Sequence, residues 1–314
     1  MPRSTVFYIR RYDDMKHLKG VVCATITPML PDGSVDMKSI VRFCDFLNQN
    51  KIHCLYPNGT NGESLSLTFE ERTEIAKTIV KQNNGQATVY IQCGAATVKE
   101  SYENVRVAKS CGADGAGLMT PVFFGIDEAA MQEYYEKLLD EITDFPIYVY
   151  NIFTRTGNDF SAELLKTLMD KYQNLHGIKF SYPDIDRIRA YVNAPANRKA
   201  DALIGCDMLA SNCCAAGGSG WVSGPAAVFG KIHTALYDAI VADDKEKIAF
   251  YQKAIIDVMK EIEGIPEIPA IKYMLKRRGV IDHDTCRAPF RKLTDAEKKR
   301  LDIALDRYIK TYES

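Results

Sequence analysis

The sequence predicts an α/β protein, a (β/α)8 TIM barrel with a C-terminal helical appendage. Three observations lead there. First, eight short apolar runs alternate with helical patterns; they fall at 21–28, 53–58, 88–93, 115–121, 146–151, 176–181, 202–206 and 219–223. Second, most of these runs recur at roughly 25–30 residues, the length of a strand, a helix and two short connections. Third, they are apolar on both faces, as parallel strands are when both sides are covered. No Gly-x-Gly-x-x-Gly follows the first run, which disfavours an open dinucleotide-binding sheet and leaves the closed barrel.

Helical stretches fall between the runs, for example at 37–50, 69–82, 99–111, 129–142 and 162–172. After the eighth run about 90 residues remain, and they read as helical at 225–241, 245–262, 269–278 and 295–312. Thr294-Asp295-Ala296-Glu297 has the spacing of a capping box opening the last of these. The expected domain plan is an N-terminal extension over 1–17, the barrel over 18–242 and a helical subdomain over 243–314. Residues 1–14 are polar and arginine-rich without an apolar centre, unlike a secretory signal. A loosely packed arm is the expectation for them.

Composition excludes several classes of function. Of 314 residues 46% are hydrophobic, ample for a large core, and the formal net charge of −1 gives no electrostatic reason to bind nucleic acid or an anionic membrane. No apolar run is long enough to span a bilayer. Nine scattered cysteines without a Cys-x-x-Cys pair fit reduced thiols in a cytoplasmic protein better than a disulfide framework. The five histidines are dispersed, with no His-x-His or His-Glu-x-x-His, so no catalytic metal is expected.

Lys179 is the residue that points to chemistry. It lies in Leu175-His176-Gly177-Ile178-Lys179-Phe180, a run that reads as a buried strand. Burying an ammonium is costly; desolvation lowers its pKa and frees a nucleophilic amine. The alternative is a lysine whose stem packs and whose head reaches solvent. What favours chemistry is company at the strand ends, where a barrel keeps its active site. Tyr150 and Asn151 end the fifth run, Gly205 lies near the end of the seventh with Asp207 just after it, and Thr25 and Thr27 close the first. After the second run comes Gly59-Thr60-Asn61-Gly62-Glu63, whose glycines permit a tight turn and whose N–H groups and threonine can hold a carboxylate. Ser181 shares a strand face with Lys179.

Together, GTNGE, the Tyr150-Asn151 pair and Gly177-Ile178-Lys179, in that order and at that spacing, resemble the dihydrodipicolinate synthase / N-acetylneuraminate lyase family of class I aldolases. The resemblance runs over roughly residues 18–312, including Ile268-Pro269-Ala270-Ile271-Lys272. It implies that Lys179 forms a Schiff base with pyruvate or another 2-oxo acid, without a cofactor. It also implies that Tyr150 shuttles protons, that Thr60 and Asn61 hold the substrate carboxylate, and that the Gly205 carbonyl faces the pyruvyl unit. The other reactant would be an aldehyde, and the assembly a homotetramer built as a dimer of dimers.

Departures from the family pattern narrow the expectation. Thr120-Pro121-Val122-Phe123-Phe124 replaces a segment that carries a relay tyrosine in the synthase, so Phe123 meets the substrate without moving protons. Asn61 stands for a second threonine, and Phe153 for a proline. Arg155 keeps the guanidinium that the synthase uses for the carboxylate of its aldehyde. Asp207-Met208 keeps half of the acidic pair with which sialic acid lyases hold a polyol. The expected activity is aldol cleavage or condensation, or dehydration, of a 2-keto-3-deoxy acid. The alternative is 4-hydroxy-tetrahydrodipicolinate synthase, joining pyruvate and aspartate semialdehyde. An alternative of another class is a non-catalytic sensor that binds a 2-oxo acid.

Overall fold

The structure is a computed structural model that describes residues 16–313, so the expected extension at 1–17 lies almost wholly outside the described residues. Eight parallel strands close into a barrel in chain order: β1 (Gly20–Ala24), β2 (Cys54–Tyr56), β3 (Thr88–Gln92), β4 (Gly115–Met119), β5 (Ile147–Asn151), β6 (Leu175–Phe180), β7 (Asp201–Ile204) and β8 (Gly220–Ser223). β8 returns to β1 with Val22 opposite Val222. Outside run the helices α1 (Met37–Gln49), α2 (Phe69–Asn83), α3 (Val98–Ser110), α4 (Glu128–Glu141), α5 (Phe153–Thr156), α6 (Ala162–Lys171), α7 (Ile185–Asn193), α8 (Ala210–Ala215) and α9 (Ala226–Val241). Three more, α10 (Lys245–Ile262), α11 (Glu267–Arg277) and α12 (Asp295–Tyr312), form the C-terminal helical appendage. No helix among the described residues is long and apolar enough to cross a membrane. The nine cysteines are all free thiols.

Strand alternation sorts the side chains into two cores. Val22, Cys54, Tyr56, Tyr90, Tyr148, Leu203 and Val222 point inward and fill the barrel, with Leu18 beneath them. Neighbours of opposite parity, such as Leu55, Val89, Val149, Ile178 and Ile204, point outward into one apolar layer shared with the helices. That layer continues without a break into Ile255, Ile271, Met274, Leu301 and Leu305 of the appendage. The interior is crowded enough to dictate a glycine. A Cβ on Gly117 would collide with the Tyr56 hydroxyl, so β4 needs a bare backbone where that ring crosses.

The N-terminal mouth of the barrel is plugged. The Tyr90 hydroxyl donates to the Lys16 carbonyl at 2.9 Å, and the Tyr148 hydroxyl accepts from the Leu18 N–H at 3.1 Å. Tyr148 also donates to Asp201 Oδ2 at 2.6 Å, and the His17 ring lies 2.7 Å from the same oxygen.

Three details differ from the sequence reading. The first strand, expected to reach residue 28, ends at Ala24 because Met29 pairs with Val35 in a small antiparallel bridge that draws the chain off the sheet. The sequence reading gave no bounds for α5, α7 and α8; at four and six residues α5 and α8 are too short to carry a periodic signal, whereas α7 buries Ile188, Tyr191 and Val192 on one face. The helix expected at 269–278 starts at Glu267. Pro269 falls in its first turn, where a missing N–H costs nothing.

Candidate active site

A cavity of about 320 Å³ opens at the C-terminal ends of the strands. Lys179, on β6, points into it and is only 4% exposed. Parallel pairing sets Lys179 directly beside Tyr150 on β5. Its Nζ lies 3.6 Å from the centre of the Tyr150 ring and 4.8 Å from that of Tyr56, so the ammonium sits between two aromatic faces. Among the described residues no carboxylate forms an ion pair with it.

Burial pushes the Lys179 pKa below its ordinary value of 10.5, although the Tyr150 phenol, by charge and hydrogen bond, and more remotely Glu267, favour the charged form. Arg155 adds to the lowering. Burial would raise the Tyr150 phenol, but Lys179, with hydrogen bonds to Thr60, Lys179 and Ser181, outweighs it and brings the group below 10.0. Each shift depends on the other group's charge, so amine and phenol titrate as one unit. The direction the geometry secures is the lysine's, because desolvation acts whatever the tyrosine does.

Thr60 Oγ1 is 3.1 Å from the Tyr150 hydroxyl. The loop that carries Thr60 is shaped by its own bonds: Gly62 N–H and Ser64 N–H donate to the Gly59 carbonyl and Glu63 N–H to the Thr60 carbonyl. Among the described residues these leave the N–H groups of Thr60 and Asn61 without an acceptor, beside the cavity. Thr27, just past β1, ties the loop down by donating to the Gly62 carbonyl at 2.8 Å.

The cavity brings together Lys179, Tyr150, Thr60, Asn61, Arg155, Ser181, Gly205 and Asp207. Phe123 is not among its lining residues; it is 88% exposed, on the loop after β4, with a φ of 77°. Asn151 also faces elsewhere. Its amide donates to Asp159 at 2.7 Å and to the Tyr191 hydroxyl at 3.1 Å, holding the outer layer. Asp207 is 8% exposed, and its Oδ1 has no hydrogen-bond partner among the described residues. Burial, with a smaller repulsion from Glu267, pushes its carboxyl up to about 7 against the opposing hydrogen bond from Ser223.

Two site residues escaped the sequence reading. Tyr56 had a signal, since it shares the inward parity of β2, but a tyrosine there reads equally as filling. Glu267 had none, because it reaches the cavity from α11, 206 positions from its partner Asn61. A wider surface groove of about 660 Å³, lined by Arg106, Lys109 and Asp144, lies on the outer helices and shares none of these groups. No cluster of three or more His, Cys, Asp or Glu side chains suited to a metal occurs among the described residues.

A closed eight-stranded barrel with a buried lysine and a tyrosine side by side at its strand ends defines a lysine-centred barrel site. Comparison with known proteins then gives the family. The profile of the Dihydrodipicolinate synthetase family matches residues 17–308, and the chain belongs to that family, whose members are lyases. An uncharacterized DapA-like lyase of Halobacterium salinarum is 30% identical over 92% of this chain and 93% of its own length. The N-acetylneuraminate lyase of Rattus norvegicus is 31% identical over 76% of this chain and 75% of its own. Among solved structures, the dihydrodipicolinate synthase from Aquifex aeolicus superposes with a TM-score of 0.88 at 25% identity, covering 95% of this chain and 100% of that one. A member of the same family from E. coli K12, solved in complex with pyruvate, superposes at 0.87 and 25% identity, covering 92% and 98%.

Proposed function

We propose that this chain is a class I, Schiff-base-forming aldolase that acts on pyruvate or another 2-oxo acid. Its reaction would be aldol cleavage or condensation, or dehydration, of a 2-keto-3-deoxy acid. The observation that carries the proposal is Lys179, a buried amine beside Tyr150 with no carboxylate neutralising it. The neutral amine attacks the keto carbon, and loss of water leaves a protonated imine. That imine draws electrons from the neighbouring carbon, so a proton can leave as an enamine forms, and the enamine bonds to the aldehyde carbon. Tyr150 takes and returns the protons, steadied by Thr60 3.1 Å away. The free N–H groups of Thr60 and Asn61 hold the carboxylate, and the Gly205 carbonyl faces the pyruvyl carbon. Hydrolysis of the imine releases the product and restores the amine.

A second reading, condensation of pyruvate with aspartate semialdehyde, is favoured by Arg155. Its guanidinium lines the cavity and has no ion-pair partner among the described residues, which suits a second carboxylate. Phe123 speaks against it, since neither its chemistry nor its exposed position supplies a relay hydroxyl. Assembly as a homotetramer in the cytoplasm belongs to the same proposal and would be read by sedimentation of the purified chain. The decisive test is borohydride reduction in the presence of pyruvate. A stable mass increment on the peptide holding Lys179 is expected, and its absence would sink the Schiff-base mechanism. Turnover across a panel of 2-keto-3-deoxy acids and aldehydes then separates an enzyme from a sensor that only traps pyruvate.

A further inference from the structure

The helix α11 grips the loop after β2 at two points. Near its start, Glu267 Oε1 accepts from Asn61 Nδ2 at 3.0 Å. Five residues on, Lys272 Nζ pairs with Glu63 Oε1, both side chains being 0% exposed. The rest of each group is also bonded. Lys272 donates to the Thr285 carbonyl at 2.8 Å, and the other oxygen of Glu63 accepts from the Arg287 N–H at 2.9 Å. Arg287 continues the lock with its side chain, donating to the Gly33 carbonyl at 2.9 Å and to Glu71 at 2.8 Å.

This arrangement is built rather than incidental. Glu63 has a φ of 56°, a left-handed conformation disfavoured for a residue with a Cβ, so something must hold it there. A buried ammonium and carboxylate that bond each other and the surrounding backbone are such a hold, since neither tolerates losing its partner. Close approach at the other grip depends on Gly224 at the end of β8. A Cβ there would collide with the Asn61 amide and come within 2.6 Å of Glu267 Oε1. Asn61 and Glu63 bracket Gly62, and Thr60 precedes them, so the two grips fix the segment whose free N–H groups lie beside the cavity.

We propose that Glu267 and Lys272 are positioning residues, through which the C-terminal appendage fixes the Thr60-Asn61 carboxylate holder and so sets affinity for the 2-oxo acid. The proposal rests on the Schiff-base reading above. It is tested on the full chain by the pyruvate concentration that half-saturates borohydride trapping at Lys179. Glu267→Ala should raise that concentration about fivefold, the effect of one lost hydrogen bond, while the trapped fraction at saturation stays the same. Glu267→Gln keeps an oxygen that can accept from Asn61 and should bring the value back most of the way. Lys272→Met should raise it further; where that variant does not fold, the two Glu267 variants decide. An unchanged value in Glu267→Ala overturns the proposal. So does Glu267→Gln behaving like Glu267→Ala, since that outcome assigns the effect to charge on Lys179 or the substrate. Wild-type protein that fails to trap pyruvate at any concentration is a different result, which removes the Schiff-base reading itself.

Discussion

At the scale of single residues, the site depends on placing charges where water cannot reach them. Lys179 and Asp207 are both buried at the strand ends, and burial pushes each toward its neutral form. For Asp207 the consequence for stability can be signed. Its carboxyl is raised from 3.8 to about 7, so the folded state holds the proton more tightly than the unfolded chain does. Its stabilising contribution is therefore complete below 3.8 and is lost as pH rises through about 7. Asp207→Asn cannot ionise and should escape that loss. Melting temperatures of the two proteins should diverge in favour of the variant between pH 4 and about 8, and parallel curves would contradict the raised carboxyl.

At the scale of elements, strand parity and helix caps account for most of the architecture. The capping box at the start of α12 is complete: Thr294 Oγ1 accepts from the Glu297 N–H at 3.2 Å, and the Glu297 carboxylate accepts from the Thr294 N–H at 2.8 Å. Thr294→Ala should lower unfolding free energy by about 1 kcal/mol in denaturant titration, with little change in slope. This box was legible in the sequence because its four residues are contiguous. So were the eight strands and the longer helices, each a local pattern of apolar residues. Lys179, Tyr150 and the GTNGE loop were legible because a barrel sends every strand end to one place. The rest required the third dimension. Glu267 meets Asn61 only because α11 folds back over the mouth, and Phe123, an apolar residue, is exposed at a positive φ that its own residue type does not announce. The short helix α8 is masked by a run of Asn, Cys and Ala with little amphipathic contrast.

At the scale of the whole molecule, barrel and appendage share one apolar layer, from Val149 on β5 through Phe229 on α9 to Leu301 on α12. Joined by that layer and by the buried Glu63–Lys272 pair, they should lose structure together. The single tryptophan offers a reporter, since Trp221 is fully buried on β8 with its Nε1 donating to His233 Nδ1 at 3.0 Å. Its fluorescence and the far-ultraviolet dichroism of the helices should give the same midpoint on heating. A separate, earlier loss of dichroism would show the appendage melting on its own. The floor of the barrel carries a different consequence. Leu18 and the Tyr148–Asp201–His17 contacts close that end, so the cavity is a well with one opening rather than a channel. Traffic in such a well is last in, first out. Under the proposed Schiff-base reaction, the 2-oxo acid that bonds to Lys179 would have to arrive before the second reactant covers it, and depart after that reactant's fragment has cleared the rim.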